Sequence, residues 1–308
     1  MSTLYYRKNV EFRAEGTTLR GWLYQPKTTS KPVPAIVMAH GYNCIKELYL
    51  DKFAECFAKI GFAVLAFDNR NFGDSDGHPR QELDPWQQVR DYRHAITFMQ
   101  TQAFVNPDRI GIWGTSYSGG HVLVVAALDN RVKCVVSQVP TISGWQSILR
   151  RVPPTEINIL RIQFNQDRQH RFNSLPPTLV PMITNPNEKG PASHGSQDAW
   201  NFFTGLLSPL EDQWRFTNWR NEVTLRSIEM YSEYEPGSYI ERIAPIPLLM
   251  IVANNDVVAV TDLALDAFNR ARDIKKLHLF RGGHFSAYID AFDEVSHEAS
   301  QWFKTYLL

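Results

Sequence analysis

One serine stands within a tight cluster of small residues in the first half of the chain. The sequence GTSYSGG, residues 114–120, places Ser116 between an apolar run at residues 109–113 and a second apolar stretch that extends to residue 128. A serine hydroxyl is a poor nucleophile until a neighbouring base removes its proton and a third group orients that base. Ser116 is therefore a candidate nucleophile that needs a base and an acid from elsewhere in the chain.

The residues around Ser116 predict a sharp turn from a β-strand into a helix. Residues 109–113 are typical of a buried strand, and the segment 117–128 is typical of a helix. In so tight a turn, the residues two before and two after the serine must be small, as Gly114 and Ser118 are. This pattern predicts the nucleophile elbow of α/β hydrolases, G-x-S-x-G, with a serine in place of its last glycine.

The base is expected late in the chain, because this elbow is followed by the acid and then by the histidine. His284 is the preferred base, since it lies directly after the last predicted strand in the sequence RGGHFSAY, where two glycines let the loop fold back over the sheet edge. His278 lies inside that strand and His297 inside the final predicted helix. We interpret both of them as structural histidines.

The preferred acid is Asp256, which follows the predicted strand 248–254 at its carboxyl end. Asp262 and Asp266 belong to the helix predicted next, and Asp262 is the fallback acid. A role for Asp256 as a helix cap is the alternative that stays open.

Two hydrogen-bond donors are expected for the oxyanion that forms when the nucleophile attacks a carbonyl group. One is the N–H of Tyr117, at the start of the predicted helix, where the helix dipole favours negative charge. The other is expected from the loop after the predicted strand 35–40, which reads His-Gly-Tyr-Asn, and Tyr42 is its candidate.

The elements that must position these residues alternate along the chain as strand and helix. Continuous apolar runs predict buried strands at residues 35–40, 62–68, 109–114 and 132–138, and helical periodicity fills the segments 46–60 and 83–99 between them. Such βαβ units predict an α/β fold with a mostly parallel sheet and helices on both faces.

Two further features complete the predicted architecture. Residues 10–25 predict an antiparallel hairpin around Glu15-Gly16. The strand–helix alternation stops at Val139 and resumes near residue 247, which predicts a mostly helical lid inserted into the core. A small independent domain is the alternative.

The predicted division of the chain is a first part of the core at 1–139, a lid at 140–244 and a second part of the core at 245–308. Aromatic residues in the lid either form its own small core or line an apolar acyl pocket. They are Trp145, Trp200, Phe202, Phe203, Trp214, Phe216 and Trp219.

Composition excludes several classes of function. Lys plus Arg and Asp plus Glu both number 32, so no basic excess favours nucleic acid as a partner. No signal peptide and no membrane-length apolar run is evident, which predicts a cytoplasmic protein. Cys44, Cys56 and Cys134 have no metal-ligand spacing and are expected to be reduced. No metal is expected, because no cluster of histidines and carboxylates has metal-ligand spacing, and no cofactor is expected, because no phosphate-binding glycine loop occurs.

Five segments together resemble the dienelactone-hydrolase-like α/β hydrolases, a subgroup that includes fungal polyketide transferases and thiohydrolases. They read AHGYN, AFDNRNFGDSDGHPRQELDPWQQVRDY, GTSYSGG, ANNDVVAVTDLALDAF and GGHFSAY. The elbow form G-x-S-Y-x-G also resembles that of the Xaa-Pro dipeptidyl peptidases and cocaine esterases, which leaves peptidase chemistry open. In the cocaine esterases the corresponding tyrosine acts through its hydroxyl, so the resemblance adds this second role for Tyr42.

The resemblance implies an acyl-transfer enzyme whose partner is a small ester or thioester with an apolar or polyketide-like acyl group. Hydrolysis is the expected reaction, and transfer to an alcohol or amine by the same residues is its close rival. A noncatalytic binding protein on the same fold is the third hypothesis. The charged and histidine side chains of the segment 76–94 are interpreted as structural. They are Asp76, His78, Arg80, Asp84 and His94.

Overall fold

An eight-stranded, mostly parallel sheet forms the centre of the computed structural model, which describes residues 4–27, 31–187, 195–205 and 218–308. The strands of the described residues are β1 (Tyr5–Ala14), β2 (Thr17–Pro26), β3 (Val33–Ala39), β4 (Ala63–Phe67), β5 (Val105–Thr115), β6 (Val132–Gln138), β7 (Leu179–Val180), β8 (Val223–Thr224), β9 (Leu248–Ala253) and β10 (Lys275–Phe280). The order across the large sheet is β1-β2-β4-β3-β5-β6-β9-β10, and β7 and β8 form a separate small pair.

Helices cover both faces of this sheet. The α-helices of the described residues are α1 (Leu50–Lys59), α2 (Pro85–Gln100), α3 (Tyr117–Leu128), α4 (Gly144–Arg151), α5 (Pro154–Phe172), α6 (Gln197–Phe203), α7 (Leu225–Ser232), α8 (Thr261–Arg270) and α9 (Phe292–Leu307). Helices α1 and α9 pack on one face, and α2, α3 and α8 contribute to the apolar core on the other. The predicted α/β-hydrolase fold is confirmed.

Strand burial explains why the sequence pattern was informative. The side chains of β4 and β9 are all buried, as continuous apolar runs predict for strands covered on both faces. Strands β1 and β2 pair antiparallel along their whole length, and both residues of their connecting turn, Glu15 and Gly16, have positive φ. Two positive φ values match the right-handed twist of a hairpin. The predicted N-terminal hairpin is therefore also confirmed.

Helix α2 begins where its start signals predict. Pro85 is its first residue, and the side chain of Asp84 accepts hydrogen bonds from the backbone N–H groups of Trp86 and Gln87. The interpretation of Asp84 as structural agrees with this geometry.

Helix α1 begins at Leu50, so the prediction of a helix from residue 46 was wrong for its first turn. The cause is a buried ion cluster. The Lys46 ammonium lies 2.7 Å from Asp68 Oδ2 and 2.6 Å from Asp74 Oδ2. Burial opposes the charge of Lys46, but these carboxylates and Glu47 raise its pKa above the usual value. Tyr49 then turns the chain with a left-handed φ of 65° before the helix starts.

The segment between β6 and β9 is mostly helical in its described parts. It contains α4, α5, α6, α7, the β7–β8 pair and a 3₁₀ helix at Pro236–Arg242. Trp214 and Phe216 lie outside the described residues. The lid bounds at 140 and 244 stay a prediction. Within the described ranges, every helix is too short or too polar to cross a membrane.

Candidate active site

Three side chains that the sequence singled out meet at the carboxyl edge of the sheet. His284 Nε2 lies 3.0 Å from Ser116 Oγ, and His284 Nδ1 lies 2.7 Å from Asp256 Oδ2. The three residues follow β5, β9 and β10, whose parallel course brings their carboxyl ends to one edge. His284 and Asp256 are buried. The structure thus joins a hydroxyl, an imidazole and a carboxylate in one hydrogen-bonded line.

The backbone of Ser116 is strained, and the surrounding chain holds it in place. Its φ is 58° and its ψ is −119°, outside the regions that non-glycine residues normally occupy. Its N–H donates to the carbonyl of Gln138 at 2.9 Å, and its own carbonyl accepts from the N–H of Thr141 at 2.9 Å. Both partners belong to the end of β6 and the residues after it. Hydrogen bonds to the end of β6 and to the residues after it therefore maintain the strained backbone of Ser116.

Small flanking residues are required by the same turn. A Cβ on Gly114 would lie 2.2 Å from the carbonyl oxygen of Ser118, closer than atoms can approach. Ser118 itself is buried, and its hydroxyl donates to the carbonyl of His40 at 2.5 Å. Glycine could not make this bond. The serine in the last position of the elbow thus ties the elbow to the end of β3.

The loop after β3 passes directly beside the nucleophile. A Cβ on Gly41 would lie 2.7 Å from Ser116 Cβ and 3.2 Å from Ser116 Oγ. Gly41 was not among the residues that the sequence singled out. Its position after a buried strand that ends near the elbow is the sequence feature that could have identified it. The close approach leaves room only for backbone at this point, as expected where a loop presents N–H groups to a reacting atom.

A buried histidine fixes that loop from inside. His40 Nδ1 accepts the N–H of Gly41 at 2.8 Å, so Nε2 carries the proton and donates to the carbonyl of Leu48 at 2.6 Å. Burial lowers the pKa of His40 to about 4, so the ring is neutral near pH 7. The neutral His40 ring therefore holds the loop in place through these two hydrogen bonds.

The structure places the two candidate oxyanion donors on either side of Ser116. Tyr117 is the first residue of α3, and the N–H groups of a first helical turn have no intrahelical acceptor. The ring of Tyr42 packs edge-on against the rings of Tyr117 and Tyr231, with centroids 5.5 and 5.6 Å apart. This packing, together with the close approach of Gly41, favours the backbone N–H of Tyr42 over its hydroxyl.

The two candidate acids have very different surroundings. Asp256 Oδ2 contacts His284, and Asp256 Oδ1 accepts the N–H groups of Val258 and Ala259, both at 2.8 Å. One carboxylate oxygen of Asp256 thus caps a turn, and the other orients the imidazole of His284. Asp262 instead forms an exposed ion pair with Arg150 at 2.6 Å.

The other singled-out residues lie apart from this line of three. His278 pairs with Glu294 at 2.9 Å, and Asp266 pairs with Arg270 on α8. Asp76 pairs with Arg20 at 2.6 Å, and Arg80 donates to the carbonyl of Gly73 at 2.9 Å. These contacts agree with their interpretation as structural.

A small pocket lies over Ser116 and His284. Its other lining residues are His40, Tyr42, Cys44, Met182, Ala199, Phe202, Phe203, Val258, Phe285 and Tyr288. The cavity measures about 20 Å³, which is room for about one water molecule. Phe202 and Phe203 come from α6 of the inserted segment, and Phe202 stacks on Phe285 at 4.4 Å. Aromatic side chains of the insertion therefore form part of the pocket wall.

The chain has three cysteines, and one of them, Cys44, lines this pocket. Cys44, Cys56 and Cys134 are all free, and burial raises the pKa of the Cys44 thiol that faces the pocket. Across the described ranges, no group of three histidine, cysteine or acidic side chains could hold a metal ion.

Comparison with known proteins identifies the family. The family described as X-Pro dipeptidyl-peptidase (S15 family) matches residues 15–286. The chain belongs to this family of α/β hydrolases. The predicted membership of the α/β-hydrolase superfamily is thereby confirmed.

Relatives of this S15-family chain include a quorum-quenching protein and a thiohydrolase. The quorum-quenching protein AidA of Acinetobacter baumannii is 33% identical over 298 residues, which cover 96% of this chain and 94% of AidA. The thiohydrolase aneE of Aspergillus aculeatus is 35% identical over 295 residues, covering 93% and 89% of the two chains.

The polyketide transferase grgF of Penicillium sp. is 29% identical over 283 residues, covering 90% of this chain and 89% of its own length. A crystal structure of the alpha/beta hydrolase GrgF from Penicillium sp. superimposes with a TM-score of 0.84 at 26% identity, over 98% and 99% of the two chains. The S15-family chain is therefore an enzyme of the hydrolase or polyketide-transferase kind. The hypothesis of a noncatalytic binding protein is therefore wrong.

We expect Gly41→Ala to reduce kcat/KM for p-nitrophenyl acetate by about 100-fold, because the new methyl group displaces the loop or Ser116 by a fraction of an ångström. Gly195→Ala is the matched control, since a Cβ there meets nothing within 4 Å. Thermal unfolding of both variants should show a folded protein. Wild-type turnover in Gly41→Ala would contradict the close approach of loop and nucleophile.

Proposed function

We propose that the chain is a serine hydrolase that cleaves a carboxylic ester or thioester through an acyl-enzyme on Ser116. The observation that carries the proposal is the continuous line from Ser116 Oγ through the His284 ring to the Asp256 carboxylate, at 3.0 and 2.7 Å. This order and spacing match the requirements of a nucleophile, a general base and an orienting acid.

In the first step, Ser116 Oγ attacks the carbonyl carbon while His284 Nε2 takes the hydroxyl proton. Asp256 accepts a hydrogen bond from Nδ1–H and stabilises the imidazolium that forms. Because Asp256 Oδ1 is held by two backbone N–H groups, Oδ2 keeps a fixed direction toward the ring. The carboxylate thereby selects the tautomer that leaves Nε2 free to act as base.

The negative charge that develops on the substrate oxygen needs donors already in place. We assign these to the backbone N–H groups of Tyr117 and Tyr42. Tyr117 begins α3, where the dipole of the helix adds positive potential. Support for Tyr42 comes from the approach of Gly41 to Ser116, which brings the loop backbone beside the tetrahedral centre.

The acyl-enzyme then forms and breaks down with His284 as the proton carrier. The bond between the carbonyl carbon and the leaving oxygen or sulfur breaks as His284 returns its proton to that atom. Water next gives a proton to His284 and attacks the ester on Ser116. Collapse of this second tetrahedral intermediate returns the proton to Ser116 and releases the free acid.

The pocket supports an uncharged, apolar acyl group as substrate. Its lining in the described residues is apolar or aromatic apart from Ser116, the two histidines and the Cys44 thiol. A cavity of about 20 Å³ admits no such group as it stands. We therefore propose that the inserted segment at 140–244 acts as a lid, and that Phe202 and Phe203 on α6 move aside when substrate enters.

Asp256→Asn should lower kcat by about 10³-fold or more, because the amide nitrogen facing His284 favours the wrong tautomer. Asn Oδ1 still accepts the N–H groups of Val258 and Ala259, so folding is preserved. Asp262→Asn is the control and should stay within about twofold of wild type, since it loses only an exposed ion pair. The kcat values for a p-nitrophenyl ester decide the matter: if Asp262→Asn is the damaging change, the acid is misassigned.

Acyl transfer to an alcohol or amine is the second candidate, and the aromatic pocket wall favours it because an apolar wall can shield an acyl-enzyme from bulk water. The names thiohydrolase and polyketide transferase among the relatives support both reactions. The two reactions share the acyl-enzyme and differ only in what attacks it.

Product partitioning separates these two reactions. With a p-nitrophenyl ester and no added acceptor, we expect free acid to form at the rate of p-nitrophenol release. Rising alcohol concentration should then divert part of the acyl group into a new ester. Free acid and ester are quantified by chromatography, with Ser116→Ala as the blank. If Ser116 is acylated but no free acid appears without acceptor, the chain is a transferase.

A further inference from the structure

The residues 218–221, termed the 218–221 segment, contact the proposed oxyanion loop from outside. The indole N–H of Trp219 donates to the carbonyl of Asn43 at 3.0 Å. The side-chain amide of Asn43 donates in return to the carbonyl of Arg220 at 3.0 Å. Asn43 directly follows Tyr42, so these two bonds anchor the residue next to the proposed oxyanion donor, and the carbonyl that Trp219 binds lies two peptide groups beyond the Tyr42 N–H.

The same segment also supports the pocket wall. The ring of Trp219 stacks on Phe203, with centroids 5.0 Å apart and an interplanar angle of 11°. The side chain of Asn221 pairs with both the N–H and the carbonyl of Ile183, at 2.9 and 3.0 Å, next to the pocket residue Met182. One short segment thus joins the loop beside Ser116 to two walls of the pocket.

The backbone conformation of Asn43 makes its two hydrogen bonds to the 218–221 segment important for the shape of the loop. Its φ is 54°, in the left-handed region, and its side chain is buried. Asparagine adopts this region more readily than other non-glycine residues, and the buried side-chain bond to Arg220 holds it there. His40 holds the loop from inside through the N–H of Gly41, and the 218–221 segment holds it from outside through Asn43.

We propose that Trp219 is a positioning residue that sets the direction of the Tyr42 N–H while it packs against the pocket wall at Phe203. Seating of this part of the insertion on the pocket wall and alignment of the oxyanion loop are then one event. This inference rests on the proposed acyl transfer at Ser116. Its physical basis is that a small displacement of an oxyanion donor costs much of its stabilisation.

Trp219→Phe tests the proposal, because phenylalanine keeps a ring against Phe203 and loses the indole N–H. We expect kcat for a p-nitrophenyl ester to fall about tenfold while KM stays within about twofold. Inhibition by phenylboronic acid, whose tetrahedral adduct on Ser116 places an oxygen in the oxyanion site, should weaken by a similar factor. Trp145→Phe is the control, since its ring lines a separate groove among α4, α5 and α7. It should match wild type in all three measurements.

Unchanged kcat and boronate inhibition in Trp219→Phe would overturn the proposal. An increase in KM alone would also overturn it, because that result describes a packing role. If Trp219→Phe does not fold, Trp219→Tyr replaces it: tyrosine also keeps a ring against Phe203 and lacks the indole N–H, and kcat should fall by a similar factor. Wild-type kcat in Trp219→Tyr would then overturn the proposal.

Fluorophosphonate labelling separates this inference from the proposed function. If Ser116 of the wild-type protein takes no label, acyl transfer at Ser116 and the inference fail together. If Ser116 is labelled and Trp219→Phe turns over at the wild-type rate, only the role of Trp219 fails.

Discussion

The strained backbone of Ser116 is the constraint on which the rest of the site depends. A left-handed φ at a non-glycine residue is unfavourable by itself, and here two hydrogen bonds from the end of β6 and from Thr141 hold it. The same bend starts α3 directly after the nucleophile and turns the hydroxyl out of the sheet edge. It also brings the elbow so close to Gly41 that position 41 has no room for a side chain. The proposed base, acid and oxyanion donors take their positions relative to this one residue.

Loops on both sides of the elbow are fixed by hydrogen bonds rather than by apolar packing alone. Ser118 donates to the carbonyl of His40, and the neutral His40 ring accepts the N–H of Gly41. Asp256 uses one oxygen for a turn and the other for His284. Each of these groups is buried, and a buried polar group that lost its partner would be costly. The reacting groups are therefore held by a network whose members stabilise one another.

Sequence alone could predict the local features, because local physical rules generate them. Helix α3 spans Tyr117–Leu128 as predicted, since the small residues before it and the apolar run within it determine both ends. His284 and Asp256 could be chosen because strand ends in a parallel sheet meet at one edge. The start of α1 and the contacts of Trp219 could not be predicted. They depend on contacts such as Trp219 with Asn43, between segments far apart in the chain, for which no local pattern exists.

The central claim is that an acyl group becomes attached to Ser116. Rapid acid quench during turnover of a slow ester, followed by peptide mass spectrometry, tests it most directly. The account predicts an acyl adduct on the peptide that carries Ser116 and no adduct in Ser116→Ala, which should also lose nearly all turnover. Cys44 lines the same pocket and is the natural competitor. An adduct on Cys44 instead, or wild-type turnover by Ser116→Ala, would contradict the account.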